Sequence, residues 1–575
     1  MQLPQPPILS LQLTPSFDED GVSSLSVLFR LQNPKFEADR PVFSFYPFKD
    51  NIPAHPFTER DVKVTDDLGP LPIRFRDLPP EGRNTQQHWS FDRETRGDVV
   101  LSFDVFPRHV DVTTPLGARI DLRRDQGGVH GVGQWFLPLL ISDEVFTNVV
   151  KWNVPADAPE STRCVWSYGE GTRPIVRVGR SDTLWNTVYM VGPVKCYPEI
   201  PPASEEGFAA CYWFGDLPPN LERLKAYNTA LFPKLSAFFG VTGESYRIII
   251  RKSPVGFGGS GFNGSYVLEY ENATASETDD SLVLLFTHEM VHSFAGISAE
   301  EDGYENEWFI EGLLYLFFGE DLLKLTHFHK PGIAEFYSSF LPYRFGFRGR
   351  DFLIRSLNDH LQGYYTSPRI SVDIRDAAEI MFTDWYAEWI SYKRGLAYLL
   401  FLDLYLRRRS GRRDITKKGP LDDIVIDISR RCRQGETVRS KQWLENLKKY
   451  LGSDELPAAQ QYEDMLRGRH IMDFSGLSLE GESNKLQLCH LPIMDYGFDR
   501  SSVHTRVVKG VIADSPAARA GLWDGAHIIT TSRASLCIED IRNTYKLVLQ
   551  DGEKETTIEY IPRRDEKAVA WQFEE

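Results

Sequence analysis

The chain has 575 residues, too many for one hydrophobic core, and the usual domain size predicts three or four units. An apolar share of 42% and an aromatic share of 13% suffice for packed interiors and argue against wholesale disorder. A formal net charge of −16 argues against nucleic acid as the principal partner, because phosphate binding needs a concentrated cationic surface.

Met1 to Ser16 lacks a basic start, a continuous apolar stretch and a small-residue cleavage pattern, so no secretory signal is expected. From Ile8 to about Ile141 the chain reads as short alternating segments between turn residues, the period-two signal of half-buried strands. Residues 24–31, 42–46, 99–105 and 118–122 are examples. An N-terminal β-sandwich-like domain follows, spanning 1–158 with its boundary in the polar stretch Pro155 to Glu160.

A mixed region comes next, with strands expected at 174–178 and 246–251 and a helix at 221–239 that Pro233 kinks or splits. Further helices are expected at 281–294, 308–318, 388–409 and 442–451, making 159–470 the α-rich body. Asp279 and Asp280 are candidate caps for the 281–294 helix. The longest apolar segment, around Tyr398 to Leu406, is broken by Asp403 and falls short of the run of ~18 that spans a bilayer, so no membrane partner is expected. Arg407, Arg408, Arg409, Arg412 and Arg413, at the C-terminal end of an apolar helix, read as surface charge compatible with the helix dipole. Six cysteines without Cys-x-x-Cys spacing indicate neither a disulfide framework nor a thiolate zinc site and fit a reducing, cytoplasmic setting.

Within the body, residues 288–292 read His-Glu-Met-Val-His. On a helix, residues four apart share a face, so His288 and His292 can present both imidazoles to a single cation while Glu289 faces an open coordination position. Glu311 follows after eighteen intervening residues, at the start of another apolar segment. Two imidazoles and one carboxylate suit Zn2+ and leave a fourth position for water, whose proton Glu289 can take. Upstream, Gly256 to Ser265 is glycine-rich enough to let a substrate backbone approach an edge strand closely. Gly258, Gly259, Ser260 and Gly261 are the substrate-facing candidates there, with a plain flexible loop as the alternative.

After about Gly468 short strands return, and the segment Ser515-Pro516-Ala517 through Ala520-Gly521-Leu522 to Gly525 resembles the recurrent segment of PDZ domains. Tyr496-Gly497-Phe498 stands where that family has its carboxylate-binding loop. The resemblance implies a PDZ domain within 471–575 and a C-terminal peptide as its partner. The whole chain resembles the PDZ-containing glycyl aminopeptidase family of gluzincin metallopeptidases. His288-Glu289-x-x-His292, Glu311-Gly312 and Ser391-Tyr392-Lys393-Arg394-Gly395 carry that resemblance. It implies a multidomain α+β chain with a thermolysin-like catalytic domain, a peptide or small-molecule amide substrate, and a tyrosine, Tyr392, that donates a hydrogen bond to the tetrahedral oxyanion.

Related gluzincin aminopeptidases place a glutamate in the glycine-rich segment to hold the substrate α-amine. No glutamate stands between Gly256 and Tyr266, Glu269 is out of register, and Leu314 replaces a frequent threonine. Three readings therefore stand: a zinc peptidase or amidase with aminopeptidase-like character, a zinc enzyme acting on a non-peptide small molecule, and a PDZ scaffold with a vestigial catalytic body. The sequence sets no oligomeric state.

Overall fold

Apolar residues at every second position pair here into long strands whose inner faces are fully buried. The computed structural model describes residues 5–49, 52–79, 84–111, 114, 117–199, 207–254, 257–295, 331–380, 383–451, 458–480, 483–552 and 554–574. The described residues up to Phe294 form one compact unit, and those from residue 331 onward form another.

In the first unit, a seven-stranded sheet runs in the order Ile175–Gly179, Phe146–Trp152, Ile8–Asp18, Gly21–Leu31, Val99–Val105, Lys63–Asp66, Gly69–Pro70. Leu9, Leu11 and Leu13 point inward along the strand Ile8–Asp18, and Leu11 pairs with Phe29 across the ladder. The Phe29 ring lies 6.2 Å from that of Phe43, which belongs to a second sheet with Thr85–Phe91 and Ile73–Asp77. This is the sandwich that the alternation predicts, and it draws in Ile175–Gly179 from beyond residue 158. Residues 118–122 do not form the expected strand. Ile120 and Leu122 are buried, but their carbonyls accept single bonds from Val132 and Arg108 instead of joining a ladder.

A further sheet, ordered Lys195–Tyr197, Ala209–Trp213, Tyr246–Lys252, Ser265–Tyr270, Gly258–Phe262, positions the candidate site. Its three central strands are parallel and carry near-continuous apolar runs such as Ile248, Ile249 and Ile250, as burial on both faces requires. The helices Pro219–Phe239 and Asp279–Val291 pack together beside it. Pro233 neither splits nor ends its helix, which runs on as one 21-residue element until Gly240, at φ 67°, closes it.

The second unit is helical from Pro331–Arg344 to Ala458–Leu466, with strands thereafter. Its central helix, Ala387–Ser410, corrects the reading of the basic run. Arg407 is buried, not exposed: it bonds to Asp403 one turn back at 2.7 Å and reaches Asp422 at 3.3 Å. The aspartate that interrupts the apolar run therefore has its counter-charge four residues on.

The later strands form two sheets, one with Ser483–Met494 and Arg563–Phe573, the other with His527–Thr531, Tyr545–Asp551 and Lys554–Tyr560. Between them Ser515 caps the helix Pro516–Arg519 by accepting from the Ala518 N–H, and Gly521 and Gly525 turn the chain at φ 92° and 87°. The residues just before Ser515 read from the sequence as a strand, but they belong to none of the sheets. Trp385 inserts into the core of this region, stacks on Tyr496 at 4.4 Å and donates its indole N–H to the Phe498 carbonyl at 2.6 Å. Among the described residues no helix is long and apolar enough to cross a membrane.

Removing Arg407 leaves buried Asp403 without its ion-pair partner while Asp422 keeps Arg344 at 3.0 Å, so Arg407→Met is expected to lower the stability of this unit by about 3–5 kcal/mol in urea unfolding. Arg412 and Asp423 pair at the surface, and Arg412→Met in the same assay is expected to cost under about 1 kcal/mol.

Candidate metal centre

The helix Asp279–Val291 starts where the Thr278 side chain accepts a hydrogen bond from the Ser281 N–H at 3.1 Å. Thr278 is thus the cap, and Asp279 and Asp280 occupy the first turn, where their charges favour the positive end of the helix dipole. Leu282, Val283, Phe286 and Met290 bury one side of the helix. Thr287 fixes its last turn from behind, with its hydroxyl bonded to the Val283 carbonyl at 2.7 Å and to the Tyr227 hydroxyl at 2.6 Å.

His288 lies in the last turn of this helix and His292 is its C-cap, still in helical conformation. Their rings stand 4.6 Å apart, centroid to centroid, at 88°. Relative exposures of 7% for His288, 6% for His292 and 3% for Glu289 place all three out of bulk water. Two neighbouring imidazoles on one helix face supply two of the nitrogen donors that suit zinc, with the buried Glu289 carboxylate beside them, so the residues present fit such an ion. Glu311 lies outside the described residues, and among the described residues no three His, Cys, Asp or Glu side chains gather as a complete set. Behind the helix, burial pushes the Tyr246 and Tyr266 phenols up, Glu289's negative charge adding to the effect, so both remain neutral.

Gly258–Phe262, for which a plain flexible loop is the alternative reading, is a strand at the edge of its sheet, antiparallel to Ser265–Tyr270 with Gly259 opposite Leu268. Gly264, at φ 65°, makes the turn between the two. The glycines matter for space as much as for conformation. A methyl added at Gly259 would sit 2.5 Å from Oε1 of Glu289 and closer still to its Cγ and Cδ, while one at Gly258 would collide with the Arg119 guanidinium. Ser260 and Gly261 continue the strand, with Gly261 buried opposite Tyr266.

A cluster of buried charge holds that strand from outside, and sequence reasoning missed it. Arg119 donates to the Gly259 carbonyl at 2.9 Å and to the Phe257 carbonyl at 3.2 Å. Glu269 faces Arg119 and Arg251 at 3.5 Å each and pairs closely with Arg123. Asp121 joins Arg251 and Arg108 at 3.0 Å and Arg123 at 2.9 Å. Burial alone would raise the Asp121 pKa, but Arg251 and Arg123 hold it down to about 2. The available signals were Arg251 and Glu269, charges inside the apolar strands Tyr246–Lys252 and Ser265–Tyr270.

Tyr392 lies in the second unit, buried in the helix Ala387–Ser410, with its ring 5.8 Å from that of Trp389. Beside it the Lys393 ammonium meets His360 Nδ1 at 2.8 Å, and His360 Nε2 lies 3.0 Å from Glu335. Burial, reinforced by Lys393, lowers the His360 pKa. Sequence spacing gave no hint of this buried chain of three polar groups.

No protein-family model matches the chain, and no curated protein matches it. Among solved structures it is similar to an aminopeptidase N family protein from Idiomarina loihiensis, with 14% identity, a TM-score of 0.61 and 98% of each chain covered. An M1 zinc metallopeptidase from Deinococcus radiodurans is 15% identical over 82% of this chain and 95% of its own, with a TM-score of 0.45. Native leukotriene A4 hydrolase from Saccharomyces cerevisiae is 11% identical over 82% of this chain and 69% of its own, with a TM-score of 0.48. The first likeness extends over nearly the whole length of both chains, and it establishes a shared multidomain fold with an N-terminal β domain.

Proposed function

We propose that this protein is a zinc-dependent hydrolase that cleaves peptide or amide bonds, with His288, His292 and Glu311 as metal ligands and Glu289 as general base. The observation that carries this reading is the buried His288–His292 pair on a helix whose intervening Glu289 abuts a glycine edge strand. The fold shared with an aminopeptidase N family protein supports it.

A zinc ion at these residues supplies Lewis-acid polarisation of a carbonyl and lowers the pKa of water at the open position. Glu289 accepts the proton from the attacking water and returns it to the leaving amine. Arg119 already occupies the Gly259 and Phe257 carbonyls, so an extended substrate that pairs with the edge strand Gly258–Phe262 would use its remaining main-chain groups, and the small residues Gly258, Gly259, Ser260 and Gly261 let that backbone come close. Tyr392 takes the part of oxyanion donor.

A second reading, a non-peptide amide or other small molecule at the same centre, is favoured by one observation. Glu269, the glutamate nearest the edge strand in sequence, is committed to Arg119, Arg123 and Arg251 and is not available to hold a substrate amine. In both readings the sequence divides at 1–158, 159–470 and 471–575, the last part being PDZ-like. Its Tyr496–Phe498 loop already receives hydrogen-bond partners from Trp385 and Tyr386, so it serves first as a brace and secondarily as a receptor for C-terminal peptides.

Glu289→Gln is expected to keep its zinc while turnover of aminoacyl and peptide amides falls by about a hundredfold or more. Metal analysis and a substrate panel on the same preparation measure both, and full activity in the variant contradicts the assigned base. Gly259→Ala displaces Glu289 without touching a metal ligand, so kcat is expected to fall by about tenfold to a hundredfold at unchanged zinc content. Gly349, where an added methyl meets no atom within 4 Å, provides the control Gly349→Ala, with activity expected to be unchanged.

A further inference from the structure

Beside the guanidinium cluster, a cavity of about 290 Å3 opens between the cations Arg108, Arg123, Arg124 and Lys252 and the apolar side chains of Phe106 and Val110. No carboxylate lines it among the described residues, although the whole chain carries a net charge of −16. The local charge balance runs the other way. Among the described residues Arg108, Arg119, Arg123, Arg124 and Arg251 pair with three carboxylates, Asp18, Asp121 and Glu269. Lys252 adds a further cation, bonding Asp125 through its backbone N–H at 2.9 Å while its side chain stays exposed. Burial raises the Asp125 pKa, which weakens that acid as a counter-charge.

Donor capacity is left over as well. Arg124 pairs with Asp18 through its two terminal nitrogens, and its buried Nε has no hydrogen-bond partner among the described residues. Arg108 uses only Nη1, toward Asp121. Guanidinium forks match the oxygens of a phosphoryl group better than they match a spherical anion. The volume reaches about the lower end of small-molecule sites, roughly 300 Å3, and is more than a bare anion fills. Phe106, stacked on His55 at 6.2 Å yet 58% exposed at the rim, leaves apolar surface open to solvent.

From these features we infer that the cavity is a binding site for a small phosphate monoester, its phosphoryl group on Arg108, Arg123, Arg124 and Lys252 and its carbon portion against Phe106 and Val110. The site is distinct from the metal centre and does not depend on the reaction proposed for it.

Calorimetric titration of the full chain tests this with three probes at matched ionic strength: phenyl phosphate, inorganic phosphate and benzyl alcohol. Phenyl phosphate is expected to bind with Kd below about 1 mM, inorganic phosphate more weakly, and benzyl alcohol not measurably. Lys252→Glu, at an exposed position, is expected to weaken phenyl phosphate by about tenfold or more. Asp18→Asn, which releases Arg124 from its competing carboxylate, is expected to tighten it, a gain that misfolding cannot imitate. Absence of saturable binding by the wild-type chain overturns the inference, as does equal affinity in all three proteins. Equal affinity for phenyl and inorganic phosphate overturns the assignment of the carbon portion.

Discussion

The candidate centre depends on one geometric constraint: a single helical turn that carries His288 and His292 on the same face and ends while both are still buried. Four-residue spacing brings the imidazoles together only if the backbone holds helical geometry through its final turn, which is where helices ordinarily fray. Thr287, between the first histidine and the rest of the helix, resists that fraying through its bond to Tyr227 on the neighbouring helix. Thr278 at the other end sets where the helix begins. The site is therefore built by ordinary capping and packing, and its chemistry enters through residue identity at three positions.

The same economy governs what surrounds Glu289. A carboxylate intended as a base needs room for a substrate but little access to bulk water, and the edge strand meets both needs by omitting side chains at Gly258 and Gly259. A strand poor in side chains packs weakly and loses more entropy on folding. Arg119 compensates by tying the Gly259 and Phe257 carbonyls to the N-terminal region. That arginine is in turn oriented by Glu269, so buried ion pairs here fix the position of a backbone segment more than they add stability.

Much of this was legible in the sequence where a short-range period carries the information. The placement of the two histidines on one helix face with Glu289 between them followed from helical spacing, and the sandwich strands followed from alternation, as at Gly21–Leu31 and Val99–Val105. What was misread involves partners distant in sequence. Arg407 looked like the end of a solvated run because only the folded chain brings Asp422 to it. Gly258 to Gly261 left a plain loop open as the alternative because glycine carries no strand signal, and the pairing with Ser265–Tyr270 comes from the neighbour's apolar face. Residues 118–122 alternate correctly yet form no ladder, since Asp121 and the residues around it serve a charge cluster assembled from four separate segments. Glu311 is proposed from its spacing after the two histidines and lies outside the described residues, whereas the role of Tyr392 rests on resemblance, because one tyrosine among 24 does not announce itself.

Elemental analysis of purified, metal-replete protein bears most directly on the claim that two imidazoles and a distant carboxylate share one ion. One zinc per chain is predicted for the wild type, falling to about a tenth or less in His292→Ala and Glu311→Ala proteins that keep their helical circular dichroism. A folded wild-type chain that binds no zinc, or a Glu311→Ala variant that retains the full complement with unchanged affinity, would contradict the account.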